Sequence, residues 1–161
     1  MKKRPFWYIA LFIIATFFLV LLFAMLLEFF KPIVSPEDFT SRMEEAGHTV
    51  EERTPPFEQI EIYLVADCGA FYVEYMVHRT MADARLTFSQ LRSDLEQLEQ
   101  LWDIVVHTYS SSGFNSHYEQ FTSDGQVAKM TRVRNTIIFA STIDDHYGDV
   151  LDIWKMLDKC H

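Results

Sequence analysis

Residues 60–78 of the chain, IEIYLVADCGAFYVEYMVH, decide the fold class that the sequence predicts. On both sides of Asp67-Cys68-Gly69, apolar side chains recur at every second position. A period of two is typical of β-strands, and two such runs joined by a short turn predict an antiparallel hairpin. We therefore expect the surrounding domain to be built on an antiparallel sheet.

The residues after the hairpin predict one long helix. From Thr80 onward the apolar period changes to 3.6, while polar and charged side chains occupy the rest of the helix surface. The face predicted to be buried consists of Phe88, Leu91, Leu95, Leu98 and Trp102.

A β-rich region and a last helix complete the domain. The stretch 136–140, TIIFA, is almost wholly apolar, which indicates a central strand covered on both faces. Asp144-Asp145 begin the last helix, whose apolar face includes Trp154. Strands are predicted at residues 104–109, 117–121, 127–133 and 136–140, with a loop at 110–113 and a tight turn at 123–125.

The sequence before the hairpin predicts a helix and an edge strand. Residues 35–38, SPED, have the pattern of a capped helix start, and Gly47 is a typical stop. Residues 49–53 fit a short edge strand that ends before two prolines. The fold class expected for the domain is α+β, an antiparallel β-sheet with helices packed on it.

The N-terminal part predicts one transmembrane helix. Residues 5–27 contain no charge over 23 positions, and a helix of that length spans about 34 Å, slightly more than the hydrocarbon core. Trp7 and Tyr8 are expected at the membrane interface. We assign residues 1–4 to a basic cytoplasmic N-terminus, 5–30 to a transmembrane signal anchor, 31–34 to a short linker and 35–161 to an extracytoplasmic domain.

Flanking charges predict the orientation of this anchor. Lys2, Lys3 and Arg4 precede it and acidic residues follow it, so the N-terminus is expected in the cytoplasm and the domain outside the cell membrane. The alternative is a cleaved signal peptide, but such peptides have an apolar core of about 7 to 15 residues and a small-x-small cleavage site. The run found here is longer, and no Ala-x-Ala follows it.

The charge of the domain restricts its partners. Residues 31–161 carry 11 basic and 22 acidic residues, a net charge of −11. This balance excludes a basic nucleic-acid-binding protein, and the apolar content excludes a disordered chain. Anionic lipid should repel such a surface, so beyond the lipid bilayer itself the charge favours a cationic protein or ligand as partner.

Two cysteines, Cys68 and Cys160, allow one disulfide. In an oxidising exterior the bond would close a loop of about 90 residues and stabilise the fold by about 4 kcal/mol in the chain-entropy model. Two unpaired thiols are the alternative, because spacing alone does not decide pairing.

Three side chains are candidates for a metal site. If the hairpin around residues 110–113 is symmetric about Ser112, His107 lies opposite His117, and Glu119 shares their face. Two histidines and a carboxylate can hold a transition metal. The alternative is a pair of surface histidines on a solvated hairpin, and a slip of one residue would destroy the cluster.

The sequence contains no strong catalytic or cofactor motif. There is no H-E-x-x-H, C-x-x-C or G-x-S-x-G motif, and no glycine-rich phosphate loop. Asp144, Asp145 and His146 offer two carboxylates and an imidazole, but helix capping already accounts for acids at this position. No cofactor and no catalytic residue is therefore predicted.

Four segments carry a resemblance to a known group of proteins: F-x3-M-x3-GHTV at residues 39–50, AFYVEY at 70–75, the helix at 84–95, and NTII at 135–138. With the basic start and the anchor, they resemble small uncharacterised membrane-anchored extracytoplasmic α+β proteins of Gram-positive bacteria. The resemblance implies an anchored α+β domain and no catalytic residue. Members of that group that are lipoproteins carry a lipid-modified cysteine, which this sequence does not match.

The function expected from the sequence is that of a single-pass membrane protein whose exterior domain is a non-catalytic binding or interaction module. One alternative is a metal-assisted hydrolase at the membrane surface that uses His107, His117 and Glu119. A second alternative is a structural subunit of a membrane complex.

Overall fold

The computed structural model describes residues 6–29, 32–102, 107–113, 115–123 and 126–158. The chain divides into two compact units, Met1–Lys31 and Pro32–His161.

Among the residues that the structure describes, the first unit contains α1 (Phe6–Phe29), a helix of 24 residues. Among the described residues it is the one helix long and apolar enough to cross a membrane, at about 36 Å. No residue of its most apolar stretch, Ala10–Leu27, is buried within the chain. The rings of Trp7 and Tyr8 stack with centroids 3.8 Å apart near its start, and both side chains are exposed. The predicted apolar helix is confirmed, and its insertion into a bilayer stays a prediction.

The second unit contains three further helices and seven strands in its described residues. In chain order they are α2 (Pro36–Glu45), β1 (Thr49–Glu52), β2 (Ile60–Asp67), β3 (Tyr72–His78), α3 (Met81–Trp102), β4 (His107–Ser112), β5 (Ser116–Ser123), β6 (Gln126–Val133), β7 (Thr136–Ile143) and α4 (Tyr147–Asp158). One 3₁₀ turn, Asp144–His146, precedes α4. The α+β class predicted from the sequence is confirmed.

Local chemistry explains where the first elements begin and end. The Ser35 hydroxyl accepts a hydrogen bond from the Asp38 amide at 3.1 Å, as the predicted helix cap requires. After α2, Gly47 has φ of +88°, a left-handed conformation that favours glycine and stops the helix. Between β2 and β3, the Asp67 carboxylate accepts from the Gly69 amide at 2.7 Å and supports the predicted turn.

All seven strands form one antiparallel sheet in the order β1-β2-β3-β7-β6-β5-β4. The predicted central strand is confirmed, since β7 occupies the middle position. The predicted edge strand is also confirmed as β1. Because β7, β6 and β5 separate β3 from β4, the connecting helix α3 crosses one face of the sheet.

Helices cover both faces of the sheet, which gives two buried cores. Helices α2 and α4 pack on one face, around Phe39, Met43, Tyr75 and Trp154. Helix α3 packs on the other face, where Phe88 is among the buried side chains. Neighbouring residues of β7 point to opposite cores, because side chains alternate along a strand.

One sequence prediction about the β-rich region is wrong. Residues 110–112 were expected in a loop, whereas they belong to β4 and pair with β5. The turn comes later, and the Gly113 amide donates to the Ser116 carbonyl oxygen at 2.8 Å. Serines are tolerated in this strand because β4 is an exposed edge, where side chains need no apolar surroundings.

Candidate functional site

The register of three neighbouring strands builds the floor of a pocket. Ser112 of β4 lies opposite His117 of β5, and His117 lies opposite Arg132 of β6. Residues paired in this way share one face of the sheet. A hydroxyl, an imidazole and a guanidinium therefore form one row across the strands, on the face that α3 covers.

Helix α3 supplies the other wall of this pocket. Arg85, Ser89 and Arg92 are spaced by four and three residues, so they lie along one side of the helix. Between them Phe88 packs against His117, with ring centroids 4.6 Å apart. The helix and the sheet row enclose a cavity of about 350 Å³, which these side chains and Gly113 line. We call it the arginine pocket.

A buried carboxylate holds two side chains of the pocket in place. Glu119 is 0% exposed, and its Oε1 lies 3.0 Å from Nη1 of Arg92 and 3.0 Å from Nε2 of His117. Its second oxygen, Oε2, is buried with no hydrogen-bond partner among the described residues. Glu96 accepts a second hydrogen bond from Arg92, and the two carboxylates raise the pKa of Arg92. Arg92 and His117 are thus preorganised at the edge of the pocket.

Arg132 is different, because it is a buried cation held by neutral groups. The residue is only 4% exposed. Its Nη1 donates hydrogen bonds to the carbonyl oxygens of Asn115 at 3.4 Å and Arg134 at 3.2 Å. Burial lowers the pKa of Arg132, and the nearby charge of Arg85 lowers it further. Within the described part of the chain, no carboxylate bonds to this guanidinium.

Another buried cation of the sheet is stabilised by a different interaction. Lys129 lies on the opposite face of β6, 7% exposed, with Nζ 5.4 Å from the Tyr118 ring centroid and 5.1 Å from that of Trp154. Two aromatic faces attract its charge. Buried charges normally have such a counterpart, which makes the environment of Arg132 the unusual one.

The turn between β6 and β7 contributes to the position of Arg132. Arg134 has φ of 53°, in the left-handed region that residues with a side chain seldom adopt. Its amide donates to the Asn115 carbonyl oxygen at 2.8 Å, and its own carbonyl oxygen accepts from Arg132. The backbone conformation of Arg134 is unfavourable, but it places the carbonyl oxygen that accepts a hydrogen bond from the buried guanidinium of Arg132.

The structure brings together only part of the predicted metal cluster. His117 and Glu119 share a face and are hydrogen-bonded, as predicted. The assumed symmetry about Ser112 is wrong, since His107 pairs with Thr122 and Ser112 pairs with His117. The register therefore does not set His107 opposite His117. No group of three His, Cys, Asp or Glu side chains in the described ranges is arranged to hold a metal ion.

The predicted disulfide involves one residue outside the described ranges. Cys68 is partly buried beside a second cavity of about 280 Å³, which His48 and Asp149 also line. Burial raises the pKa of its thiol to about 11, with a smaller contribution from Asp67. Such a thiol is a poor nucleophile at neutral pH. Cys160 lies beyond the described residues, so the bond stays a prediction.

The three arginines of the pocket were missed by sequence reasoning. Arg85 and Arg92 fall on the polar side of an amphipathic helix, where charged residues are ordinary. Arg132 carried a usable signal, because alternation along β6 sets it on the same face as the buried Ala128 and Met130. A charged residue at an apolar position of a strand is informative, whereas charges at exposed positions are not.

Comparison of the chain with protein-family models, with curated proteins and with solved structures found no match. The resemblance to extracytoplasmic proteins of Gram-positive bacteria stays a prediction.

Proposed function

We propose that this chain is a single-pass membrane-anchored protein whose exterior domain binds a small anionic ligand in the arginine pocket. The domain acts as a binding module and performs no reaction on that ligand. The sequence predicts a binding or interaction module, and this proposal assigns the arginine pocket as its binding site.

The single observation that carries the proposal is the buried guanidinium of Arg132. Transferring a cation from water into a protein interior is costly unless an opposite charge or strong acceptors compensate for it. Carbonyl oxygens compensate only in part, as the lowered pKa of Arg132 indicates. An anion bound in the adjoining cavity would complete the compensation, and guanidinium groups bind oxyanions with two parallel hydrogen bonds.

The size and surroundings of the cavity also support a small ligand. A volume of about 350 Å³ lies at the low end of the range usual for small-molecule sites. The pocket combines several hydrogen-bond donors with the aromatic ring of Phe88. Binding sites for small molecules typically contain a few well-placed polar groups among apolar side chains.

The local charge of the pocket is opposite to that of the domain. The net charge of −11 favours a cationic partner at long range, whereas the groups within a few ångströms of the cavity favour an anion. Exposed charges are screened beyond about 8 to 10 Å in physiological salt, so the local groups decide what is bound. The overall charge would instead discourage large polyanions.

The membrane part of the proposal rests on α1. A helix of 24 residues with apolar side chains on all sides would expose a large apolar surface in water, and a bilayer removes that cost. The basic residues before it favour a cytoplasmic N-terminus. Protease treatment of intact cells that express the chain tests the orientation. Digestion of the domain supports it, and complete protection of the domain overturns it.

Anion binding is tested by thermal unfolding of the full chain in a nonionic detergent. Sodium acetate and sodium phosphate are titrated at constant ionic strength, with chloride as the reference anion. A ligand at one hundred times its Kd stabilises the folded state by about 2.7 kcal/mol. We expect at least one of the two oxyanions to raise the unfolding midpoint well above the chloride reference.

Matched variants make the test specific for the pocket. Arg132→Met and Arg85→Gln should both lose the stabilisation by the oxyanion. Arg53→Gln removes a charge at the opposite edge of the sheet, after β1, and should keep the stabilisation. Equal stabilisation of all four proteins, or of none, would overturn the proposed function.

A further inference from the structure

We propose that the anion bound in the arginine pocket is a 2-hydroxycarboxylate, a small acid with a hydroxyl group on the carbon next to its carboxylate. This inference rests on the proposed function and names the chemical class of its ligand. Two neighbouring side chains on the floor of the pocket carry it. Arg132 binds the carboxylate, and His117 accepts a hydrogen bond from the hydroxyl group.

Arg132 presents one edge of its guanidinium to the cavity. Its Nη1 is used within the protein, because it donates to two backbone carbonyl oxygens. In the described ranges, buried side-chain atoms without a hydrogen-bond partner occur only on Glu119, Arg134 and Thr142. Nε and Nη2 of Arg132 bond to no described group either, so they are accessible from the cavity that Arg132 lines. Two parallel N–H groups on one edge of a guanidinium match both oxygens of a carboxylate.

His117 presents a hydrogen-bond acceptor to the same cavity. Glu119 forms an ion pair with Arg92, and a carboxylate only accepts hydrogen bonds, so Nε2 of His117 carries the hydrogen that it donates to Glu119. In the neutral imidazole, Nδ1 is then the acceptor nitrogen. Nδ1 bonds to no described group and is not one of the buried atoms without a partner, so a ligand in the cavity can reach it.

The imidazole is held in a fixed orientation. Glu119 bonds to one of its nitrogens at 3.0 Å, and the ring of Phe88 packs against it with centroids 4.6 Å apart. An acceptor that is held in place before binding selects a ligand that carries a donor at the matching position. An acid without a hydroxyl group offers only acceptors and would leave Nδ1 without a partner.

The spacing of the two side chains places the hydroxyl group beside the carboxylate. His117 and Arg132 lie directly opposite each other on β5 and β6, and the Cβ atoms of such a pair are about 4.5 to 5.5 Å apart. A ligand that contacts both side chains therefore needs its hydroxyl group on a carbon close to its carboxylate. The cavity of about 350 Å³ corresponds to roughly ten water molecules, which fits a small acid.

Isothermal titration calorimetry with three small carboxylates tests the assignment. The full chain in a nonionic detergent is titrated at pH 8 with glycolate, propionate and methoxyacetate. Propionate replaces the hydroxyl group of glycolate with a methyl group, and methoxyacetate keeps the oxygen but has no hydrogen to donate. We expect glycolate to bind about tenfold more tightly than either of the others, as one additional hydrogen bond implies.

Variants assign the two contacts to their side chains. His117→Phe keeps an aromatic ring against Phe88 but has no Nδ1, so the tenfold preference for glycolate over propionate should disappear. His146→Phe is the matched control, because His146 is bonded to Asp149 on the surface, and it should keep the preference. Arg132→Met should weaken the binding of all three acids by at least about tenfold. A preference that His117→Phe retains overturns the assignment.

The outcomes separate this inference from the proposed function. If propionate or methoxyacetate binds the unchanged chain as tightly as glycolate, anion binding stands and the hydroxycarboxylate assignment is wrong. If phosphate stabilises the chain and none of the three acids binds, the assignment is also wrong while the proposed function stands. If no anion binds, both are wrong. The comparison of the three acids uses the unchanged chain, so it decides even where a variant fails to fold.

Discussion

Lowering the pH should destabilise the domain through one buried histidine, His78 of β3. The residue is 0% exposed, and its Nε2 lies 2.9 Å from the hydroxyl oxygen of Thr87 on α3. Its Nδ1 lies 3.3 Å from the carbonyl oxygen of Asn135, whose side-chain amide donates to the His78 carbonyl at 2.8 Å. The imidazole thus joins α3 to the sheet next to the turn that ends β6.

The sign of the effect follows from the pKa of His78. Burial lowers it below the ordinary value of about 6.5, and this outweighs the opposite influences of the Asn135 carbonyl and the Asp83 charge. As the pH falls below about 6.5, the unfolded chain takes up a proton that the folded domain does not. The free energy of unfolding then decreases until the pH reaches the folded-state pKa.

Because only one proton is involved, the change in the free energy of unfolding caused by His78 is small. A single proton bound only by the unfolded chain gives a slope of about 1.4 kcal/mol per pH unit, approached between the two pKa values. Between pH 7.5 and pH 5.5 we therefore expect a loss of about 1 kcal/mol from His78, since the slope develops only below about 6.5. Above pH 7.5 the titration of His78 should contribute no further change to the free energy of unfolding.

Urea-induced unfolding at pH 7.5, 6.5 and 5.5 measures the effect, with the fluorescence of the buried Trp154 as the signal. In His78→Gln the amide can still bond to Thr87 but does not titrate, so the loss between pH 7.5 and 5.5 should shrink. His146→Gln is the matched control, because His146 is partly exposed and bonded to Asp149 on the surface. The reasoning is refuted if His78→Gln and the unchanged chain lose the same stability on acidification.

Three further predictions concern the core and the cysteines. Ile137→Ala, near the start of the central strand β7, should reduce the free energy of unfolding by about 2 to 5 kcal/mol in urea denaturation, because the side chain is 0% exposed. Tyr75→Phe should cost about 1 kcal/mol in the same assay, since the buried hydroxyl donates to the Val34 carbonyl oxygen at 2.7 Å. In a Cys160→Ser variant with reductant, Cys68 should react with iodoacetamide at pH 8 about a hundredfold more slowly than a free thiol, because its pKa is about 11, and mass spectrometry follows the modification.

Each of these predictions has a clear contrary result. A change below about 0.5 kcal/mol for Ile137→Ala would contradict its burial in the central strand, because surface substitutions have effects of that size. Unchanged stability of Tyr75→Phe would mean that its hydroxyl makes no net contribution. Equal alkylation rates in native and urea-unfolded protein would contradict the environment assigned to Cys68.

Much of the fold could be predicted because its signals are local. The strands on either side of Asp67-Cys68-Gly69 and the central strand at 136–140 are found where the apolar pattern indicates them. Alternating apolar side chains favour a strand, whichever segment of the chain pairs with it. The error at residues 110–112 has the same origin, since serines at an exposed edge give no apolar pattern and pairing with β5 alone makes them a strand.

The arginine pocket could not be predicted, because it depends on contacts between distant segments. Arg85 and Arg132 are 47 positions apart in the chain, and only the path of α3 across the sheet brings them together. Within the hairpin, the proposed cluster depended on an assumed register. Side chains alternate between faces, so an error in the register changes which residues meet, as happened for His107 and His117.

The sequence by itself determined the apolar helix α1, the acidic charge of the domain, the α+β class and the central strand, because hydrophobic period and charge are properties of neighbouring residues. Only the tertiary structure decided that Arg132 is buried without a carboxylate partner among the described residues, and that it lies beside His117 under α3. The physical reason is that strand register and helix packing set the surroundings of a charge, and these surroundings set the free energy of its burial.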